Sequence, residues 1–135
     1  MNNPVSALLD NKDSELHTVP LTATAFDAVQ KMVEARIGSV LVVDGEALVG
    51  IFTERDVLVR VVGARRDPEK TPISHVMTHD PVSIDSTTTV EEVLDVHGGK
   101  EFRHLPVVDN GHLVGMLSFR DILRWIAQTN NAETE

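Results

Sequence analysis

Residues 42–62, VVDGEALVGIFTERDVLVRVV, return sixty-five positions later as residues 107–127, VVDNGHLVGMLSFRDILRWIA. Nine of the twenty-one aligned positions are identical, and Ile51/Met116, Phe52/Leu117, Thr53/Ser118 and Val57/Ile122 are close substitutions. The match continues upstream, more weakly, through Phe26–Met32 on Val90–Val96 and Val19–Leu21 on Val82–Ile84, each after a one-residue shift. Self-similarity of this kind marks one supersecondary unit used twice. The first repeat is assigned to residues 16–62 and the second to 73–127. A charged, proline-containing linker (63–72) joins them, an N-terminal segment (1–15) precedes them and an acidic tail (128–135) follows.

Within the first repeat, HTVPLT reads as a short strand. Phe26, Val29, Met32 and Val33 then recur at helical spacing behind Thr24, a capping residue. The runs Val40–Val43 and Leu48–Phe52 flank the turn residues Asp44-Gly45-Glu46 and predict a β-hairpin. A helix from Glu54 to about Val62 follows, with Val57, Leu58, Val61 and Val62 as its apolar stripe. The second repeat offers a strand at Pro81–Ile84, a helix from Val90 toward His97, and a hairpin over Leu105–Leu117. Its turn, Asp109-Asn110-Gly111, favours type I′ geometry, and a last helix begins after Ser118. The order is β-α-β-β-α twice, an α/β fold. Neither half can bury enough apolar surface alone, so the two sheets are expected to pack face to face with approximate twofold symmetry.

Composition narrows the function. A 41% hydrophobic content fills a core, and no apolar run reaches the eighteen residues of a membrane span. The absence of cysteine removes thiol nucleophiles and thiolate metal sites. The net charge of −9 and an aromatic content of 4% argue against a nucleic-acid partner. The start of the chain carries no secretory signal, so a cytoplasmic location is expected. The six histidines show no ligand spacing for a metal, and no Ser or Thr sits in a nucleophile motif.

The chemistry concentrates in Thr53-Glu54-Arg55-Asp56 and Ser118-Phe119-Arg120-Asp121. A hydroxyl residue followed three positions later by an acid has the form of a capping box, which needs no ligand. Two features point further. The acid is Asp in both copies, whereas the usual reciprocal partner is Glu or Gln, and each Asp follows an Arg. Free N–H groups at a helix start, a hydroxyl and a guanidinium suit a phosphate. A carboxylate accepting two hydrogen bonds side by side suits a ribose diol. The ligand reading is favoured, with capping kept for the empty turn.

This series of elements, with HVMTHDPVSI before the second repeat, RHLPVVDNGHLVGMLSFRD within it and GIFTERD in the first, resembles a tandem pair of cystathionine β-synthase (CBS) domains, a Bateman module. The resemblance covers about residues 16–127, and the doubled G-h-h-[ST]-x-x-D signature makes it specific. It implies a stand-alone regulatory module, without catalysis, that binds adenosine-containing ligands such as AMP, ADP, ATP, NAD or S-adenosylmethionine in clefts between its halves. It also implies a homodimer and a regulated partner protein. One cleft would combine Thr53, Arg55 and Asp56 with Val82, Ser83, Phe102, Arg103 and His104. The other would combine Ser118, Arg120 and Asp121 with Thr18, Val19, Ile37, Gly38 and Ser39.

Several of these residues have a plainer reading. Gly38 either lets a base approach the backbone or caps the preceding helix. Arg103 either meets a phosphate or pairs at the surface with Glu101 or Asp109. If the first holds, the cleft with Arg103 and His104 favours more highly phosphorylated ligands than its counterpart. The sequence departs from the family pattern where SELHTVP precedes the first repeat and where two glycines stand in His97-Gly98-Gly99-Lys100. Val57, Val61, Ile122 and Ile126 lie on stripes that exceed what small cores cover, and are expected at a dimer interface.

Overall fold

From the N-terminus the elements run α1 (Val5–Asp10), β1 (Thr18–Pro20), α2 (Ala25–Ala35), β2 (Ser39–Asp44), β3 (Ala47–Thr53), α3 (Glu54–Asp56), a π-helical turn (Val57–Val62) and a 3-10 turn (Ile73–His75). They continue with β4 (Thr78–His79), α4 (Val90–His97), β5 (His104–Asp109), β6 (His112–Ser118) and α5 (Phe119–Thr134). The structure is a computed structural model in which residues 3–10, 16–97 and 104–134 are described. It is mixed α/β and divides into two units. The first is His17–Pro81; the second joins the described residues up to Leu16 with those from Val82 onward.

In the first unit β1 lies parallel to β2, with Val19 opposite Val42, and β2 pairs antiparallel with β3, with Val40 opposite Phe52. α2 starts as the sequence predicts: Asp27 N–H donates to Thr24 Oγ1 at 3.1 Å, and Thr24 N–H donates to Asp27 Oδ2 at 2.9 Å. It ends on Arg36, which adopts a left-handed φ of 57° and donates its N–H to the carbonyls of Met32 and Val33. Ala25, Ala28 and Met32 of α2 meet Val40, Val42 and Phe52 of the sheet in the core.

The helix predicted over Glu54–Val62 differs in kind. After one α-helical turn the backbone widens, and Gly63 N–H donates to Leu58 C=O at 2.7 Å, a five-residue step. The predicted stripe is divided by this change. Val61 is buried and Val57 packs against the core, while Leu58, Val59 and Val62 stand exposed.

In the second unit β5 and β6 pair antiparallel around Asn110 and Gly111, with φ of 52° and 81°, the two left-handed residues that a type I′ turn requires. The strand expected over Pro81–Ile84 shrinks to a single parallel bridge between Ile84 and Val107, with Ile84 N–H on Pro106 C=O and Val108 N–H on Ile84 C=O. Val82 and Ser83 are exposed and unpaired in the sheet sense, which leaves them free of the ladder that a strand would impose. α5 continues to Thr134, so the predicted tail from 128 is largely helical. Ile122 is fully buried and Ile126 packs against the core; with Val61 and Val57 they belong to interiors rather than to an external stripe.

The two units also exchange short segments that the repeat boundaries place elsewhere. Thr71 and Ile73–Met77 belong to the first unit: Ala25 N–H donates to Thr71 C=O, Ile73 N–H donates to Ala23 C=O, and Ile73, Val76 and Met77 are buried among its core residues. Reciprocally, the segment before the first repeat completes the second unit. Val5 and Leu8 of α1 are buried with Val90, Val93 and Leu117, while Val5 N–H donates to Thr88 C=O and Val90 N–H to Asn3 C=O.

The signature glycines make room for these straps. A Cβ on Gly50 would overlap Met77 Sδ and stand 2.9 Å from its Cε, and one on Gly115 would stand 2.8 Å from Leu9 Cδ2. The glycine of each G-h-h-[ST]-x-x-D motif is thus a packing requirement of the sheet face.

Candidate functional site

Each [ST]-x-x-D turn is a closed capping box. In the first unit Thr53 N–H donates to Asp56 Oδ2 at 2.9 Å, Asp56 N–H donates to Thr53 Oγ1 at 3.2 Å, and the Thr53 hydroxyl donates to the same carboxylate oxygen at 3.1 Å. In the second, Ser118 N–H donates to Asp121 Oδ2 at 2.8 Å and Asp121 N–H to Ser118 Oγ at 3.1 Å.

The choice of Asp over Glu therefore does not separate a ligand-binding turn from a plain cap. An aspartate reaches the N-cap N–H as well as a longer acid does. Thr24 and Asp27, which carry no functional assignment, close the same box at similar distances. What separates Asp56 from Asp27 is its surroundings. Asp56 is buried, and its second oxygen faces Arg60 Nε at 3.5 Å; the Thr24–Asp27 bonds lie at the surface.

Strand register sets Gly38 and Ser39 beside the Thr53 turn of their own unit, whereas the sequence reading groups them with Ser118 and Asp121; likewise it sets His104, grouped with Thr53 and Asp56, beside Ser118. Ser39 lies opposite Thr53 across β2 and β3, and Glu54 N–H donates to Gly38 C=O at 3.0 Å. A Cβ on Gly38 would come within 3.1 Å of Glu54 Oε1. Gly38 is not the helix cap, a role taken by Arg36, but a point of close approach between two chain segments. In the second unit His104 lies opposite Ser118 across β5 and β6. Thr18 is half-buried opposite Leu41, and the side chain of Val19 is given to the core. Arg55 and Arg120 are exposed. Phe102 and Arg103 lie outside the described residues, as do Gly98–Lys100.

Beside Ile37 and Gly38 the first unit carries a groove of about 380 Å³. Val29, Met32, Val33, Ile37 and Val57 supply its apolar walls, and Arg36 and Glu54 stand at its edge. Sequence reasoning named only Ile37 and Gly38 among these residues. Val29, Met32 and Val33 were legible as the apolar face of α2, but Val33 is 69% exposed, so that face is only partly covered by the core. The groove has the volume of a small-molecule site, with an apolar lining and few polar groups. It could accept a planar apolar-faced group, with the Glu54 carboxylate and Arg36 guanidinium at its mouth for polar contacts.

Among the described residues no group of three or more His, Asp or Glu is placed to hold a metal ion, and no helix is long and apolar enough to cross a membrane. One carboxyl is held below the usual aspartate range. Asp85 accepts from the Thr87 hydroxyl at 2.6 Å, with further help from the Thr88 hydroxyl and the N–H groups of Thr87 and Thr88, and these outweigh the effect of burial.

Comparison with known proteins agrees with the architecture. The solved structure of a signal-transduction protein with CBS domains from Burkholderia ambifaria superposes with a TM-score of 0.79 at 31% identity, covering 92% of this chain and 93% of that one. A CBS domain protein from Pyrobaculum aerophilum, solved in complex with AMP, superposes with a TM-score of 0.72 at 28% identity, covering 93% of this chain and 99% of that one. In sequence, YlbB of Bacillus subtilis is 32% identical over 120 residues, which span 87% of this chain and 80% of that protein. The CBS domain-containing protein CBSCBSPB1 of Arabidopsis thaliana is 38% identical over 111 residues, 82% of this chain. The match spans only 20% of that plant protein. The family model for the CBS domain matches twice, at residues 5–63 and 73–128, and the chain belongs to the CBS-domain family.

Proposed function

We propose that the chain is a cytoplasmic regulatory module that binds an adenosine-containing ligand, AMP, ATP or NAD, and passes its occupancy to a partner protein without catalysing a reaction. The observation that carries this reading is the groove at Ile37–Gly38, an apolar slot of about 380 Å³ with Arg36 and Glu54 in its lining. Its walls offer an apolar bed for a base. Thr53 and Asp56 stand in the turn beside the slot rather than in its lining, and in this reading a ribose diol reaches the carboxylate by opening the cap. The AMP complex of the Pyrobaculum relative supports the choice of ligand class.

In this reading Thr53, Arg55 and Asp56 of the first unit and Ser118, Arg120 and Asp121 of the second contact ribose and phosphate. Thr18, Val19, Ile37, Gly38, Ser39, Val82, Ser83, Phe102, Arg103 and His104 complete the sites. The capping boxes describe the ligand-free turn, and a bound diol recruits the aspartate from its cap. The exposed Leu58, Val59 and Val62 of the first unit form the apolar face that a homodimer covers.

A thermal-shift panel with AMP, ATP and NAD tests the proposal. A ligand held only by the folded state at a hundred times its Kd stabilises by about 2.7 kcal/mol. A melting temperature that stays fixed with all three nucleotides at millimolar concentration overturns it in favour of a CBS-fold interaction module with no nucleotide.

A further inference from the structure

Arg60 joins the Asp56 turn to the segment that closes the first unit. Its Nε faces Asp56 Oδ1 at 3.5 Å, one helical turn back, while its Nη1 donates to the backbone carbonyl of Met77 at 2.7 Å, seventeen residues ahead. Met77 is the last buried residue of the strap that closes the first unit, its side chain seated where Gly50 leaves room. Beyond it, Thr78 and His79 pair with Ile51 and Gly50, Asp80 takes a left-handed φ of 46°, and the chain leaves the unit at Pro81. One guanidinium thus spans the functional carboxylate and the exit segment.

We propose that Arg60 is a positioning residue that reports the state of the Asp56 carboxylate to residues 77–81. While the carboxylate is held in its cap, Arg60 is oriented by it and clamps the Met77 carbonyl. When a ligand hydroxyl pair takes the carboxylate, the guanidinium loses its orienting partner and the exit segment loosens. The fork geometry suits the task, because two nitrogens of one planar group can serve two acceptors at once, which an ammonium on a flexible stem does poorly. The widened π-helical turn carries Arg60, in keeping with the frequent presence of such turns at functional sites. Position 60 differs in kind between the repeats. In the sixty-five-residue alignment the counterpart of Arg60 is Trp125, which packs against the core of its own unit. The two turns therefore differ in what they can transmit, whatever they bind.

Only the ligand step rests on the nucleotide reading, and the test separates the two. Amide hydrogen exchange of residues 77–80 is measured by NMR in the intact chain, in Asp56→Asn, Arg60→Gln and the double variant. Each single variant should raise exchange at these amides about two- to fivefold, the factor that a half-exposed ion pair supports. The double variant should add little to either, because both act through one link. Arg60→Lys, which keeps the charge but lacks the fork, should leave most of the rise in place. Exchange at 77–80 unchanged in Asp56→Asn, or effects of the two substitutions that simply multiply, would overturn the proposal. AMP added to the unaltered chain should reproduce the rise and should fail to do so in Arg60→Gln. If AMP binds but leaves residues 77–80 unmoved, the relay is wrong and the nucleotide reading stands. If neither AMP, ATP nor NAD binds, the nucleotide reading falls, and the variants alone decide whether Arg60 links Asp56 to the strap.

Discussion

The burial of α1 in the second unit can be tested by Leu8→Ala. Leu8 is 4% exposed and lies among Val90, Val93, Leu105 and Leu117, beside Val5, which is fully buried. Truncating a buried leucine costs about 2–5 kcal/mol, the smaller values applying where the surroundings can close on the gap. α1 has six residues and is held by few backbone bonds, Val5 N–H to Thr88 C=O and Ser6 N–H to Ser86 C=O among them, so it can settle toward the sheet. A loss of about 2–3 kcal/mol is expected on that ground. In a chain of this size it corresponds to a fall of roughly 6–15 °C in melting temperature. The assay is thermal unfolding followed by circular dichroism, with Leu123→Ala as reference. Leu123 is 53% exposed, and its truncation should change stability by no more than about 0.5 kcal/mol. If Leu8→Ala melts within a degree of Leu123→Ala, α1 is not part of the second core and the exchange of straps is refuted.

The capping boxes supply their own control for the ligand reading. Asp27→Asn and Asp56→Asn each weaken a cap and should each cost at most about 1 kcal/mol of stability. Only Asp56→Asn should lower nucleotide affinity, by roughly tenfold or more, as measured by calorimetry; equal losses in both would return Asp56 to a purely structural role. Val61→Glu buries a charge in the first core and should abolish the cooperative melt. Val59→Glu, on the exposed face, should leave the fold intact and shift the mass seen by light scattering to that of a monomer, whereas an unchanged dimer would place the interface elsewhere. The lowered pKa of Asp85 stabilises the folded state above the ordinary aspartate value, and that contribution is lost as pH falls through the folded value. Asp85→Asn should accordingly melt lower than the unaltered chain at pH 7, with the difference closing below about pH 4; a gap that persists in acid would mean that the Thr87 and Thr88 bonds do not depend on the charge.

The repeat made most of the fold legible, because hairpins and capped helices are local: Asn110-Gly111, Thr24 with Asp27 and the alternating runs of β2 and β3 carry their own instructions. The straps were not legible for the opposite reason. Val5, Leu8 and Leu9 do recur at helical spacing, but one turn and a half is too short to declare a partner, and that partner lies beyond residue 80. The widening after Asp56 has no signal in side-chain type, since Val57–Val62 suits an α-helix equally well on paper. Of the candidate site, the two turns could be read in advance as capping boxes, because that bonding is tied to spacing. The groove walls could not, since Val29, Met32 and Val33 look like core until the extent of the core is known. Asp56 and Arg60 stand four residues apart, but their pairing emerges only with the structure, and the Met77 carbonyl is backbone, which no residue type announces.

The exchange of straps also sets a timetable for synthesis. Ile73 and Met77 leave the ribosome shortly after the helix they pack against, so the first unit can close by a contact of modest sequence separation. The second unit depends on residues made long before it. Val5 and Leu8 must wait until Thr88 and Val90 have been added, and that closure is long-range and correspondingly slow. Until those residues are added, Val5 and Leu8 lack the apolar partners that bury them. A pause anywhere before Thr88 and Val90 are added would prolong that exposure, while one after Leu117 would not, so synonymous codon choice ahead of Val90 bears on the yield of folded protein.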